Sequence, residues 1–361
     1  MISSLYLHIP FCQSICSYCD FPKVYHNKEW EEKYIPLLIE EIESYSIKDK
    51  SLKTIYIGGG TPSILSSALR EKMLSYLNRR FPNVAEFTRE ANPESITEEK
   101  AAIRKKYGVN RVSLGVESTS TSLLKRLGRT HTNEQVRKAV SLLKQSGIDN
   151  LNFDFIYGIP GESLTDLNND ISFALSQGVK HLSFYSLQLE EGTRLFDKKT
   201  IPVTDDEYRK QYDHLVLQLS IHGYQRYEVS NFSLPGYESK HNLTYWHDEQ
   251  YYACGVGASG YIKDLRYTNT KSITKYLSGE RVFSKDTIRK EDEEREFLRL
   301  GLRLEQGFSL EEYRKRFGQD FLSVYSKKIE ENNTFFDSSD GRFRIRKEYL
   351  YIRDSLLLSL F

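Results

Sequence analysis

Four cysteines are all that the 361 residues contain, and three of them fall between positions 12 and 19. So small and lopsided a set does not make a disulfide framework. The opening residues, MISSLYLHIPFC, also lack the basic start, apolar middle and small-residue cleavage site of a secretory leader. The thiols are therefore expected in a reducing compartment, the cytoplasm. Neither sign of charge is in excess: 51 Lys and Arg stand against 50 Asp and Glu. No overall positive field recruits polyanions, so nucleic acid is not an expected partner. Nor does any uncharged apolar run approach the roughly 20 residues that span a bilayer. No transmembrane segment is expected, and any membrane contact would be peripheral.

What is present is globular: 39% hydrophobic and 28% charged residues, with the 25 tyrosines and 19 phenylalanines read chiefly as packing. The length is generous for one core, which predicts a large domain with a smaller appendage. Short β-rich runs occur at 4–10, 53–58, 86–92, 111–117, 151–158 and 181–189. Helical patterns lie between them, as in Trp30, Tyr34, Leu37, Leu38, Ile42 and Tyr45, or Val136, Ala139, Val140 and Leu143. Thr132 with Gln135, and Ser163 with Asp166, have the spacing that caps a helix start. Strands separated by helices predict parallel pairing through right-handed crossovers, in an open doubly wound sheet or an incomplete barrel. Both put chemistry at the carboxyl ends of the strands. From about residue 290 the pattern turns helical and then, in TFFDSSDGRFRIRKEYLYI, reads as a small hairpin. Arg342, Arg344, Arg346 and Lys347 cluster there, and the module is assigned to packing or partner docking rather than DNA.

Cys12, Cys16 and Cys19 are spaced CxxxCxxC on the loop after the first strand. A structural zinc ion wants four tetrahedral ligands, so Cys254 or His26 would have to complete the set from a distance. A Cys16/Cys19 redox pair is a second reading, although such pairs usually open a helix and here Asp20, Phe21 and Pro22 follow. The third is an iron–sulfur cluster held by three thiolates, with one iron left open for an exchangeable ligand. In IGGGTPS, Gly58, Gly59 and Gly60 let backbone approach a ligand closely, though a tight strand-to-helix turn would explain them equally. GVGASG at 255–260 fits GxGxxG formally, but no amphipathic helix or βαβ unit surrounds it.

The cysteine loop resembles that of the radical S-adenosylmethionine superfamily. That resemblance implies a [4Fe-4S] cluster on Cys12, Cys16 and Cys19. It also implies a bound S-adenosylmethionine whose amino and carboxylate groups chelate the open iron, and whose reductive cleavage yields a 5′-deoxyadenosyl radical. LYLHIPFCQSICSYCDF, IYIGGGTPS, VNRVSLGVES, LGRTH, NFDFIYGIPGES, and HNLTYW before YYACGVGASGYI, together resemble the HemN/HemW family over nearly the whole chain. The implied fold is an α/β, incomplete (β/α)6 TIM-like barrel over residues 1–230. A C-terminal region, 231–361, would follow, carrying a small helical, winged-helix-like module. By the same resemblance, Tyr6, Tyr18, Gly59, Gly60, Thr61, Glu90, Arg129 and Asp154 contact S-adenosylmethionine. Glu117 goes with them, but it replaces the family's usual glutamine, which leaves a second cofactor molecule in question.

Two further departures separate this chain from the porphyrinogen dehydrogenases of the family. Phe21 stands where they carry another cysteine, and the first strand begins almost at Met1, where they carry a longer extension. Both favour a heme chaperone. Heme or a porphyrin, a heme-acceptor protein and a reductant such as flavodoxin or ferredoxin are then the implied partners. His241 of HNLTYW is the candidate axial ligand, with Tyr245 and Trp246 to pack on the porphyrin; holding a loop by hydrogen bonds is its plainer role. The family often has histidine where Ser259 stands. The alternative is a radical enzyme that decarboxylates coproporphyrinogen III or attacks heme. An RNA-modifying radical enzyme is disfavoured by the charge balance.

Overall fold

The computed structural model describes residues 2–48 and 51–360. Six strands form the parallel body of its main sheet: β1 (Ser4–Ile9), β2 (Thr54–Gly59), β3 (Glu86–Ala91), β4 (Arg111–Glu117), β5 (Asn150–Tyr157) and β6 (His181–Ser186). All pair in parallel, in sequence order. These are the six expected runs: 111–117 matches at both ends, and the others differ at one or both ends by up to three residues. Helices join them: α1 (Lys28–Ser44), α2 (Ser67–Arg80), α3 (Glu98–Lys106), α4 (Thr121–Leu127), α5 (Asn133–Gln145) and α6 (Leu164–Gln177). Both expected capping boxes form, at Thr132 and Ser163.

The strands alternate in period two, and the alternation separates two faces. Leu5, Leu7, Ile55, Ile57, Phe87, Val112, Leu114, Phe153, Phe155 and Phe184 are buried under the helices in one core. The opposite face carries Tyr6, His8, Tyr56, Glu90, Ser113, Asn152, Asp154, His181 and Ser183, linked across strands by side-chain hydrogen bonds. Parallel sheets covered on both faces usually read as apolar throughout. A polar inner face therefore marks a lined interior rather than a second core.

The sheet has nine strands, not six. β7 (Gln225–Glu228) and β8 (Asn231–Ser233) add an antiparallel edge beyond β6, and β9 (Tyr252–Cys254) pairs in parallel with β1. β9 and β7 end the sheet without pairing to each other, so the barrel stays open. The sheet also runs past residue 230, the expected domain boundary, because Leu5, Tyr6 and Leu7 take Tyr252, Ala253 and Cys254 as partners. GVGASG lies after β9 and leads into another strand, Ser259–Ile262, which disposes of the dinucleotide reading.

The C-terminal module has its own aromatic core: Phe297, Phe308, Tyr313, Phe321, Phe336 and Phe343. Helices Lys290–Gly301 and Leu310–Phe317 pack with a small antiparallel sheet ordered Phe308–Ser309, Arg342–Ile345, Phe336–Asp337. The expected hairpin therefore ends at Ile345, and KEYLYI (347–352) forms a 3-10 helix instead. Its apparent alternation is that of a short helix with only Leu350 buried. The three hairpin arginines are spent inside the module. Arg342 donates to the Gln306 and Gly307 carbonyls, Arg346 to the Phe336 carbonyl, and Arg344 to Asp337. Among the described residues, no helix is long and apolar enough to cross a membrane.

Candidate functional site

The cysteine loop is pinned at several points. Ser17 N–H donates to the Leu127 carbonyl at the end of α4 (2.8 Å), and Leu195 N–H donates to the Ser17 carbonyl (2.9 Å). Val24 N–H reaches the Pro10 carbonyl (2.8 Å) and His26 N–H the Cys12 carbonyl (2.9 Å), closing a short parallel pair. His8 adds a side-chain anchor: its Nε2–H donates to the Pro22 carbonyl at 2.7 Å. Nδ1 is then bare in the neutral ring and accepts from Tyr6 O–H at 3.0 Å. Burial holds this imidazole neutral by lowering its pKa to about 4.

All three loop cysteines are free thiols, Cys12 buried and Cys16 and Cys19 half-buried. Thr61 Oγ1 donates to the Cys12 sulfur and Arg129 Nη1 to the Cys16 sulfur, each at 3.7 Å. Burial pushes the Cys12 thiol up and the Cys19 thiol up to about 11, and the neighbouring cysteines raise both further. Compensating positive charge, as from a bound metal group, favours the thiolate forms of Cys12 and Cys19. Among the described residues, no three His, Cys, Asp or Glu side chains converge at single-ion distance. His26 is taken by Glu31 at 2.6 Å, and Cys254, the last residue of β9, is wholly buried in the core. Zinc thus loses its fourth ligand. A cubane gives each thiolate a separate iron, and a three-thiol loop fits that demand.

The glycine turn stands over the same loop. A Cβ on Gly60 would lie 2.8 Å from the Cys12 sulfur, and one on Gly58 2.8 Å from Glu90 Oε1. Gly59 adopts φ +114°, where a Cβ would meet the His8 ring at 2.7 Å. Glu90, at the end of β3, accepts from Tyr56 O–H (2.7 Å) and Gly59 N–H (3.0 Å). Burial, with the nearby Asp154 and Glu117, lifts its pKa to about 7. Asp154 accepts from Ser113 Oγ (2.6 Å) and Asn152 Nδ2 (2.8 Å), and burial raises it too. Glu117 lies at a bulge opposite β5 with φ +61°, a left-handed conformation that costs a non-glycine residue on the order of 1–2 kcal/mol. Burial raises it to about 7 against the pull of Arg129 and a hydrogen bond from Tyr18.

Arg129 closes the group. Its Nη2 donates to the Gly115 carbonyl at 2.8 Å and its Nη1 to Asn92 Oδ1 at 3.1 Å, while Nε is buried without a partner among the described residues. Although burial opposes its charge, Glu117, Tyr18 and Cys16 hold it protonated. Cys12, Cys16, Tyr18, Thr61, Glu90, Glu117, Arg129 and Asp154 thus gather at one end of the barrel. Three acceptor groups suit an ammonium or ribose hydroxyls, and the guanidinium suits a carboxylate. Sequence reasoning missed the residues that orient these groups: His8, Tyr56, Asn92 and Ser113. The available signal was their position two residues, or one register step, from residues already singled out.

His241 does not join them. Its ring is fully buried at the opposite end of β2, with Nδ1 bonded to Thr54 Oγ1 and Nε2 to Tyr245 O–H, both at 2.8 Å. Burial lowers its pKa to about 3. Both nitrogens are occupied, so binding iron would require breaking one of these bonds; the loop-holding role is the one the geometry supports. His241→Ala is expected to cost about 2–4 kcal/mol of stability through two lost buried hydrogen bonds and a cavity. An unaltered unfolding midpoint would contradict the bridge. A changed heme spectrum below that midpoint would return His241 to the ligand role. Tyr245 and Trp246 do line a cavity of about 400 Å³ with Tyr251, Arg266, Glu296 and Leu300. Ser259 is exposed and bonded to Thr268.

Two family models match the chain: the radical SAM superfamily over residues 6–174 and the HemN C-terminal domain over residues 288–350. A protein named heme chaperone HemW from Lactococcus lactis is 39% identical over 91% of this chain and 89% of its own length. Its namesake from Bacillus subtilis is 36% identical over 90% and 89%, and that from Escherichia coli 34% over 83% and 82%. Among solved structures, coproporphyrinogen III oxidase (HemN) of Escherichia coli, a radical SAM enzyme, superposes with TM-score 0.86. The superposition covers 99% of this chain and 90% of that one at 18% identity, a likeness of fold.

Proposed function

We propose, from the premise that this chain belongs to the HemW family of heme chaperones, that it binds heme and passes it to an acceptor protein. It acts in the cytoplasm. A [4Fe-4S] cluster is held by Cys12, Cys16 and Cys19, with S-adenosylmethionine at the remaining iron. The supporting observation is the convergence of cysteine loop, glycine turn, carboxylates and Arg129 at one barrel end. When bound, the cluster supplies an open coordination position and one low-potential electron. The chain's own groups do the rest. Gly58 to Gly60 clear space, and Glu90 and Asp154 accept hydrogen bonds from ammonium or hydroxyl groups. Arg129 faces a carboxylate, and the His8–Pro22 bond keeps the loop in place. An electron donor such as flavodoxin or ferredoxin would reduce the cluster.

The second reading is a porphyrinogen enzyme, favoured by the cysteine loop and glycine turn at one barrel end and by the HemN-like fold. Against it, Phe21 is 61% exposed beside the loop where the enzymes carry a cysteine. The discriminating experiment is anaerobic. Reconstituted protein is mixed with S-adenosylmethionine, a reductant and coproporphyrinogen III, and a parallel sample is titrated with heme. A stoichiometric Soret shift without protoporphyrinogen IX is expected. Sustained protoporphyrinogen formation would replace the chaperone with the enzyme.

A further inference from the structure

Three arginines are enclosed on the helix side of the sheet, directly behind the glycine turn. Arg70 on α2, Arg89 on β3 and Arg104 on α3 are 1%, 0% and 0% exposed. Arg89 donates one Nη2 bond to the Pro62 carbonyl and Arg70 one to the Leu65 carbonyl. Lys100 donates to the Ser63 carbonyl between them, at 3.0 Å. Arg89, Arg70 and Lys100 therefore meet on the turn that continues Gly58 to Thr61, and Arg104 lies within electrostatic reach of Arg70 and Arg89. Beyond these bonds, among the described residues, Nε and Nη1 of Arg70, Nε and Nη1 of Arg89, and all three nitrogens of Arg104 have no partner.

This arrangement is electrostatically incomplete. A guanidinium does not escape by losing its proton under ordinary conditions. Burial works against all three charges, and repulsion from neighbouring arginines adds to it for Arg89, Arg104 and Lys100, with Arg104 pushed down to about 9 and Lys100 to about 8. The carboxylates acting on Arg70 are Glu99, which is exposed, and Glu31. Glu31 is spent, its oxygens accepting from Ser66 N–H and His26 Nε2, each at 2.6 Å. Enclosed water would satisfy N–H groups but not the charge, and uncompensated buried charge is among the costliest defects a fold can carry. Planar guanidinium forks are shaped for bidentate bonds to oxyanions.

We propose that Arg70, Arg89 and Arg104 form a buried site for one small inorganic oxyanion, phosphate or sulfate, that completes the packing behind the glycine turn. Arg89 and Glu90 are neighbours on β3 facing opposite sides, so the anion braces the strand end whose inner face carries Glu90. The test uses the full chain with its cluster reconstituted. After exhaustive exchange into a zwitterionic buffer, unfolding midpoints are measured against phosphate, sulfate and chloride at constant ionic strength. A saturable rise with phosphate or sulfate, absent with chloride, is expected. Arg104→Met removes one fork but keeps the stem's volume. It is expected to raise the half-saturating oxyanion concentration more than tenfold, and to match or exceed the wild-type midpoint in anion-free buffer. A tightly held anion would not exchange, so denatured protein purified from phosphate-containing medium is also assayed by ion chromatography. About one oxyanion per chain then supports the site even without a titration response. Identical midpoints in all three salts together with no stoichiometric release overturn it. A rise seen equally with chloride also overturns it.

Discussion

Cys16→Ala is expected to give a folded protein that holds no stoichiometric iron or sulfide after anaerobic reconstitution and shows no broad visible absorbance. Cys16 is only half-buried and its loop is held by backbone bonds at Ser17, Val24 and His26, so little packing depends on its sulfur. The fold should lose about 1 kcal/mol or less, leaving the far-ultraviolet circular dichroism unchanged. What vanishes is one of three ligands, and two thiolates do not retain a cubane that already has an open corner. Cys254→Ala is the matched control. Its thiol is wholly buried in the core, so it should cost stability and spare the cluster. Iron and sulfide at wild-type levels in Cys16→Ala would mean that the ligand set has been misassigned.

Gly59→Ala carries the second large effect. A side chain there must adopt φ +114°, and its Cβ would sit 2.7–2.8 Å from three atoms of the His8 imidazole. The ring does not yield easily, because Pro22 and Tyr6 hold both of its nitrogens. The backbone must move instead, and with it the Gly59 N–H that holds Glu90. We expect S-adenosylmethionine affinity to fall at least tenfold and stability to drop by about 2–3 kcal/mol. Equilibrium dialysis on reconstituted protein of verified cluster content measures the first. Gly318→Ala, also at positive φ (+72°) but with nothing within 4 Å of its Cβ, should cost only about 1 kcal/mol and leave binding intact. Wild-type affinity in Gly59→Ala would place the cofactor elsewhere.

The legible parts of this chain were those that local periodicity encodes. β1 to β6 alternate over six or more residues each, and their capping boxes punctuate the helices, so type and order could be read directly. β9 could not. Three residues, Tyr252 to Cys254, carry no periodic signal, and their pairing with Leu5 to Leu7 spans the length of the barrel sequence. KEYLYI failed for the opposite reason, because alternation over so few residues also fits a 3-10 turn. At the site, the cysteines stood out by their spacing, whereas Glu90, Arg129 and Asp154 were singled out only through the family resemblance. His8 and Tyr56 did not stand out, since hydrogen bonds to Pro22 and Glu90 depend on which side chains the register brings together. His241 shows the limit of reading chemistry from residue type. A good metal ligand in isolation, it is consumed here by Thr54 and Tyr245.

The seating of β1 between β2 and β9 sets an order of events during synthesis. Cys12, Cys16 and Cys19 are made well before Cys254, which lies more than 230 residues downstream of them. The strand that feeds them cannot gain its second neighbour until Cys254 has emerged, which at typical elongation rates takes on the order of tens of seconds. Through that interval the nascent thiols lie beside an unfinished sheet edge, open to oxidants and stray metal. The strand that leads into the thiol loop is thus completed by a neighbour from far downstream rather than by residues made alongside it.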